Sequence, residues 1–173
     1  MLPSLKPSID LGSALMKIFC ESAAKVFQTQ CALNVQMKSV ASVNHLKTEI
    51  PVELTSSLSM MADGFMGGLT MAYPQATFLA MATAVLGEEC KEISKDNMDF
   101  GAVLLNMIFG ATKTRLSAEQ NLLLQPAIPV VVMGHGMTLS LSTDSPTWFV
   151  EFATQMGSIY ASVTVKQSVP KGP

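Results

Sequence analysis

Asn106 is equipped for chemistry that needs orientation rather than a nucleophile. A carboxamide donates and accepts hydrogen bonds at once, so it can hold and orient a water. It stands in the stretch 96–116, DNMDFGAVLLNMIFGATKTRL. Along a helix, Asp99 lies about 20° to one side of Asn106 and Lys113 about 20° to the other. Ala102 and Gly110 fall within about 40° of the same line. The strip is therefore a central amide, two small residues beside it and a charge at each end. The rest of the stretch is apolar, so the spacing predicts a helix buried on most sides. An asparagine inside a helix is less favourable than alanine by roughly 0.6 kcal/mol. Two readings stay open: an exposed or internally satisfied amide, or an amide that reaches into a partner's site. In the second, Ala102 and Gly110 let a partner's backbone come close.

Other chemistry is missing. There is no Walker loop, no GxGxxG after a strand, no GxSxG and no HExxH. Gly64 to Gly68 reads as a hairpin turn rather than a phosphate cradle. Asp144 and Glu151 read as solvated. Cys20, Cys31 and Cys90 have no metal or redox spacing and read as free thiols in a reducing cytosol. His45 and His135 stand far apart, and no metal site is expected. The chain lacks the tools of ordinary nucleophilic or metal hydrolysis.

The 173 residues are 49% hydrophobic and only 14% charged, with net charge −2. The length suits one domain over 1–173, with 1–9 and 168–173 as loose tails. No basic cluster favours nucleic acid or an anionic membrane surface. The apolar runs are too short to span a bilayer, and no secretion signal is evident. A cytoplasmic protein is the expectation.

The elements that must position the strip follow in chain order. Asp10 reads as the N-cap of an amphipathic helix over 11–30. Leu33, Val35 and Met37 alternate as a strand would, and a loop or strand connection follows around 44–51. Leu54 to Met60 alternate as another strand. Asp63-Gly64 and Gly67-Gly68 supply turn residues before a returning strand at 69–73. Pro74 opens a buried helix over 75–86 that Gly87 ends. Glu88 to Lys95 is a charged connection. Asp96 caps the central helix, with Asp99 as its acidic partner, and the helix runs to about Glu119. Short strands at 130–133 and 137–141 flank a turn at Gly134-His135-Gly136. Asp144-Ser145-Pro146 is a second turn, and two more strands run through Trp148–Phe152 and Ile159–Val165. The sum is an α+β sandwich: an antiparallel sheet packed with two long helices and a further N-terminal helix.

At this point the chain resembles a known family. The chemotaxis phosphatases of the CheC, CheX and FliY type carry a motif of Asp or Ser, three residues, Glu, two residues, Asn, twenty-two residues, Pro. This chain has Asp99, Val103, Asn106 and Pro129 at those spacings. The flanks GGLTMAYP at 67–74, LGEE at 86–89 and NMIFGATK at 106–113 also look like CheX. The resemblance implies a CheC/CheX-like fold and a response-regulator receiver domain as partner, which would carry the magnesium and the aspartyl phosphate. It implies a docking strip of Asp99, Ala102, Val103, Gly110 and Lys113. Asn106 would position the attacking water. It also implies a homodimer.

The departure is Val103, which stands where the motif has glutamate. In the family that glutamate pairs with a receiver lysine, and valine can hold no ammonium. Losing a charge-assisted contact costs roughly 1.5–3 kcal/mol. The chain reads as a weakened phosphatase or one whose activity is lost. The alternative is a non-catalytic dimerisation or protein-interaction module that keeps only the fold.

Overall fold

The structure is a computed structural model and describes residues 9–45, 49–140 and 142–167. In chain order its elements are α1 (Ile9–Cys31), β1 (Gln36–His45), β2 (Ile50–Ala62), β3 (Phe65–Tyr73), α2 (Gln75–Leu86), α3 (Asp99–Gln120), β4 (Val130–Leu139), β5 (Ser142–Thr154) and β6 (Gly157–Gln167). The strands form one antiparallel sheet in the order β1-β5-β6-β3-β2-β4. The α+β class, the antiparallel sheet and the three helices agree with the expectation.

Alternation builds the core. In β2, Val52, Leu54, Ser56, Leu58 and Met60 are buried, while the residues between them are partly or fully exposed. Leu54 and Leu58 stand opposite Tyr73 and Leu69 of β3, and Leu69 and Met71 stand opposite Val163 and Ala161 of β6. Val163 and Ala161 in turn face Trp148 and Val150 of β5. One apolar sheet face results, and the three helices share its core. Aromatic contacts join the layers: Phe27 of α1 meets Phe152 of β5 edge-on at 6.0 Å. Tyr73, Phe78 and Phe100 form a chain from β3 through α2 to α3, with centroids 5.7 and 6.0 Å apart. Such pairs contribute about 0.5–1.5 kcal/mol beyond burial.

Close approach needs small residues at two places that matter below. A Cβ on Gly101 would lie 2.7 Å from Leu54 Cδ2, so with glycine at 101 α3 packs closely on β2 without displacing that buried side chain. Gly157, in the β5–β6 turn, has φ +118° and presses on α2: a Cβ there would lie 2.3 Å from Thr77 Oγ1.

Several local expectations are corrected. Asp10 lies inside α1 as its second residue rather than before it. Leu33 and Val35 precede β1, which runs on to His45. Gly67 and Gly68 lie within β3 and not in the turn, which is Asp63-Gly64 alone. Gly134-His135-Gly136 is not a turn but a bulge inside a continuous β4: Val52 pairs Met137 while Leu54 pairs Met133. Asp144-Ser145-Pro146 likewise falls within β5. The expected tails, 1–9 and 168–173, lie outside the described residues except for Ile9. Among the described residues no helix is long and apolar enough to cross a membrane.

Candidate functional site

The candidate site is the outward face of α3, and five devices hold the helix that bears it. Its entry is fastened two residues earlier than Asp96 and Asp99 suggest. The Ser94 N–H donates to Asn97 Oδ1 at 3.0 Å, and the Asp96 N–H donates to Ser94 Oγ at 3.2 Å. This is a reciprocal box of the kind that satisfies the free donors of a helix start. Asn97 also donates to the Glu92 carbonyl at 2.9 Å. No side chain caps at Met98, where the regular helix begins, so the expected Asp96–Asp99 box is replaced by Ser94 and Asn97. Gly101 seats the first turn on Leu54. Phe100 packs on Phe78. Near the far end Arg115 forks to Glu119 and to Glu21 of α1, both at 2.7 Å. Asn121 closes the helix in the left-handed conformation at φ 53°.

The buried stripe of α3 is Gly101, Leu104, Leu105, Ile108, Phe109, Thr112 and Leu116. It recurs at helical spacing and faces the sheet and α1. The opposite face is open. Asp99, Val103, Asn106, Met107 and Gly110 are exposed, and Ala102 and Lys113 are partly so. The helix is thus buried on one side only, not on most. Among the described residues the side chains of Asp99, Asn106 and Lys113 have no hydrogen-bond or ion-pair partner. The Asn106 amide is open to solvent, with neither its donor nor its acceptor used within the described residues. Nor do His, Cys, Asp and Glu anywhere among the described residues gather in threes as a metal site would need.

Gly110 stands on this face with nothing within 4 Å of the place its Cβ would take. Glycine in an exposed helix interior costs about 0.5–1 kcal/mol relative to alanine. Gly110→Ala is therefore expected to stabilise the isolated chain by about that much, read as a rise in thermal midpoint. An unchanged or lower midpoint would show that the backbone there is not free.

Sequence reading missed the apolar neighbours of the strip. Val85 and Leu86, expected inside a buried helix, are exposed at the end of α2. With Phe100, Val103, Leu104 and Met107 they line a groove of about 320 Å³ that has Asp96 and Asp99 at its margin. No periodicity marks them, because the sequence of α2 is apolar all round and only packing decides which turn emerges.

The thiols divide by burial. Burial pushes Cys20 up to about 12, with Glu21 adding to the effect, and burial pushes Cys31 up to about 11. The thiolate is the reactive form, so both stay protonated and inert at neutral pH. Cys90 is half-buried in the charged connection. In native protein a thiol reagent at pH 8 is expected to modify Cys90 fast and the other two only on unfolding. Fast reaction at all three would contradict the core described above.

The family model described as chemotaxis phosphatase CheX matches residues 55–153, more than half of the chain. No curated protein matches it in sequence. Among solved structures, a CheC-like superfamily protein from Shewanella sp. PV-4 is 20% identical with a TM-score of 0.80, over 88% of this chain and 97% of that one. Chemotaxis protein CheX from Vibrio vulnificus is 20% identical with a TM-score of 0.79, over 88% and 99%. The CheX–CheY–BeF3–Mg complex from Borrelia burgdorferi is matched at 18% identity and a TM-score of 0.71, over 88% and 98%. At these identities the structures speak for the fold. Together with the family match across β2 to β5, which includes all of α3, they establish that this chain belongs to the CheX family.

Proposed function

We propose that this chain is a CheX-like protein of chemotaxis or two-component signalling. It docks on a CheY-type receiver domain through the 99–113 strip and releases the receiver's aspartyl phosphate slowly. The observation that carries this reading is the Asn106 amide. It is exposed and unpartnered among the described residues, and small residues on both sides leave room for another backbone. The Borrelia complex, in which a related CheX holds CheY with BeF3 and Mg, supports a receiver as partner.

In this reading the receiver brings the magnesium and the phosphoaspartate, and this chain brings geometry. Asn106 accepts a hydrogen bond from the attacking water and fixes its approach, which is the kind of positioning phosphoryl transfer rewards. Val103, one turn away and more than half exposed, offers no charge to a receiver lysine. Asp99 is a carboxylate on the same strip, but two turns, about 10.5 Å, separate it from Asn106. Turnover is slow for that reason. A receiver partner would be met in the cytoplasm, and the open edges of β1 and β4 leave room for a second copy in a homodimer.

The test is phosphate release from phosphorylated CheY-type receivers of the same organism with magnesium present. Wild type is expected to accelerate release and Asn106→Ala to remove the acceleration. The valine at 103 favours a second reading, a docking or dimerisation module without catalysis. Binding with no acceleration by wild type would establish it.

A further inference from the structure

We propose that the groove between α2 and α3 is a recognition site for a segment of the partner that presents one large apolar side chain flanked by lysine or arginine. The inference rests on the docking of a receiver on α3 and adds what selects that receiver.

The floor of the groove is hydrocarbon. Val85 and Leu86 are 38% and 46% exposed, Val103 and Met107 are 54% and 37% exposed, and all four line it together with Phe100. Scattered exposed apolar residues need no explanation, but four converging on one concavity next to a polar strip do. The rim is acidic. A neighbouring cleft shares Leu86, Asp96 and Asn97 with the groove and adds Glu88, Glu89 and Glu92. Residues 88–99 hold five carboxylates against Lys91 and Lys95, a net charge of −3 in a chain whose total is −2. One of those lysines, Lys91, is already paired with Glu89 at 3.5 Å. The negative charge of the molecule is concentrated beside its apolar groove. An acidic or uncharged segment would gain nothing from that rim, and an acidic one would be repelled. A basic, apolar segment satisfies both parts.

Val103 belongs to strip and groove alike. A carboxylate there would put a charge on the hydrocarbon floor. With valine, the floor runs unbroken from Leu86 to Met107, and the attraction for the partner's cation moves to the rim. Recognition then rests on apolar burial steered by the acidic rim rather than on a single ion pair.

The experiment measures binding of full-length chain to beryllofluoride-loaded CheY-type receivers of the same organism, at low and high salt. Leu86→Ser tests the floor, and the double variant Glu89→Lys, Glu92→Lys tests the rim. Both sites are exposed and neither lies on the strip. Burying one large aliphatic side chain corresponds to at least about tenfold in affinity. Leu86→Ser is expected to weaken binding by that factor at both salts. The rim variant is expected to weaken it at low salt and to flatten the salt dependence. Wild-type binding that neither change affects, but that Gly110→Gln blocks, overturns the groove and leaves strip docking intact. Failure of wild type to bind any receiver overturns both. A dimer that Leu86→Ser converts to monomers shows a second copy in the groove and overturns the assignment.

Discussion

Val103→Glu is expected to raise the rate of receiver dephosphorylation by about ten- to a hundredfold over wild type. One restored charge-assisted contact is worth roughly 1.5–3 kcal/mol, and each 1.4 kcal/mol is about tenfold in rate. The site accepts the change. Residue 103 is 54% exposed, so the new carboxylate stays in water until a partner arrives. Glutamate is the better helix former, and its repulsion from Asp99 one turn back costs only a few tenths of a kcal/mol. Stability is expected to stay within about 0.5 kcal/mol of wild type, so a changed rate reports on the site. Adding Asn106→Ala to that variant is expected to remove the gain, because water and cation are handled by one device and their effects do not add. A variant that binds its receiver with wild-type affinity and turns over no faster would show that residue 103 does not face the reacting groups. By the groove argument the same variant binds more weakly if its partner inserts an apolar side chain, so rate and affinity are to be read separately.

The second large effect is on stability. Gly157→Ala is expected to cost about 2–4 kcal/mol, from two sources. One is the backbone: φ +118° is a conformation that side-chain-bearing residues rarely adopt. The other is steric, since the added methyl would meet Thr77 Oγ1 at 2.3 Å in the buried first turn of α2. At about 2–4 °C per kcal/mol for a chain of this size, the midpoint falls by roughly 5–15 °C. A double-mutant cycle separates the sources. Thr77→Ala removes the colliding hydroxyl and methyl, so the pair recovers the steric share and retains the backbone share. Equal losses in both backgrounds would mean that the turn does not press on α2 as described.

The sequence made the helices and the strip legible because their signals are periodic and long. Asn106 with Asp99 and Gly110 defines a line on α3 at any reasonable choice of helix ends. It could not say which glycine pairs turn and which do not. Gly64 sits in a turn and Gly67 in a strand pressed against β6, yet both follow the same local pattern. Gly134-His135-Gly136 carries every sign of a hairpin, but β2 pairs with residues on both sides of it, and long-range pairing overrides the local preference. Ser94 and Asn97 do not stand out as a capping box because aspartates at 96 and 99 offer the more familiar acidic version. The groove was invisible for a different reason. Val85 and Leu86 look like the two turns before them, and their exposure follows from where Gly87 ends the helix and how α3 crosses it.

The bulge in β4 has a consequence for solubility. β4 is an outer strand, and its apolar Val130 and Val132 are half or more exposed. A flat strand of that composition invites edge-to-edge stacking into fibrils. The bulge prevents a flat edge. It divides the ladder into Val130–Met133 and Met137–Leu139, with Gly136 at φ +70° between them. Bulges raise local twist, so the two short pieces cannot both lie against one straight incoming strand. The edge can take a single short partner but cannot propagate a stack.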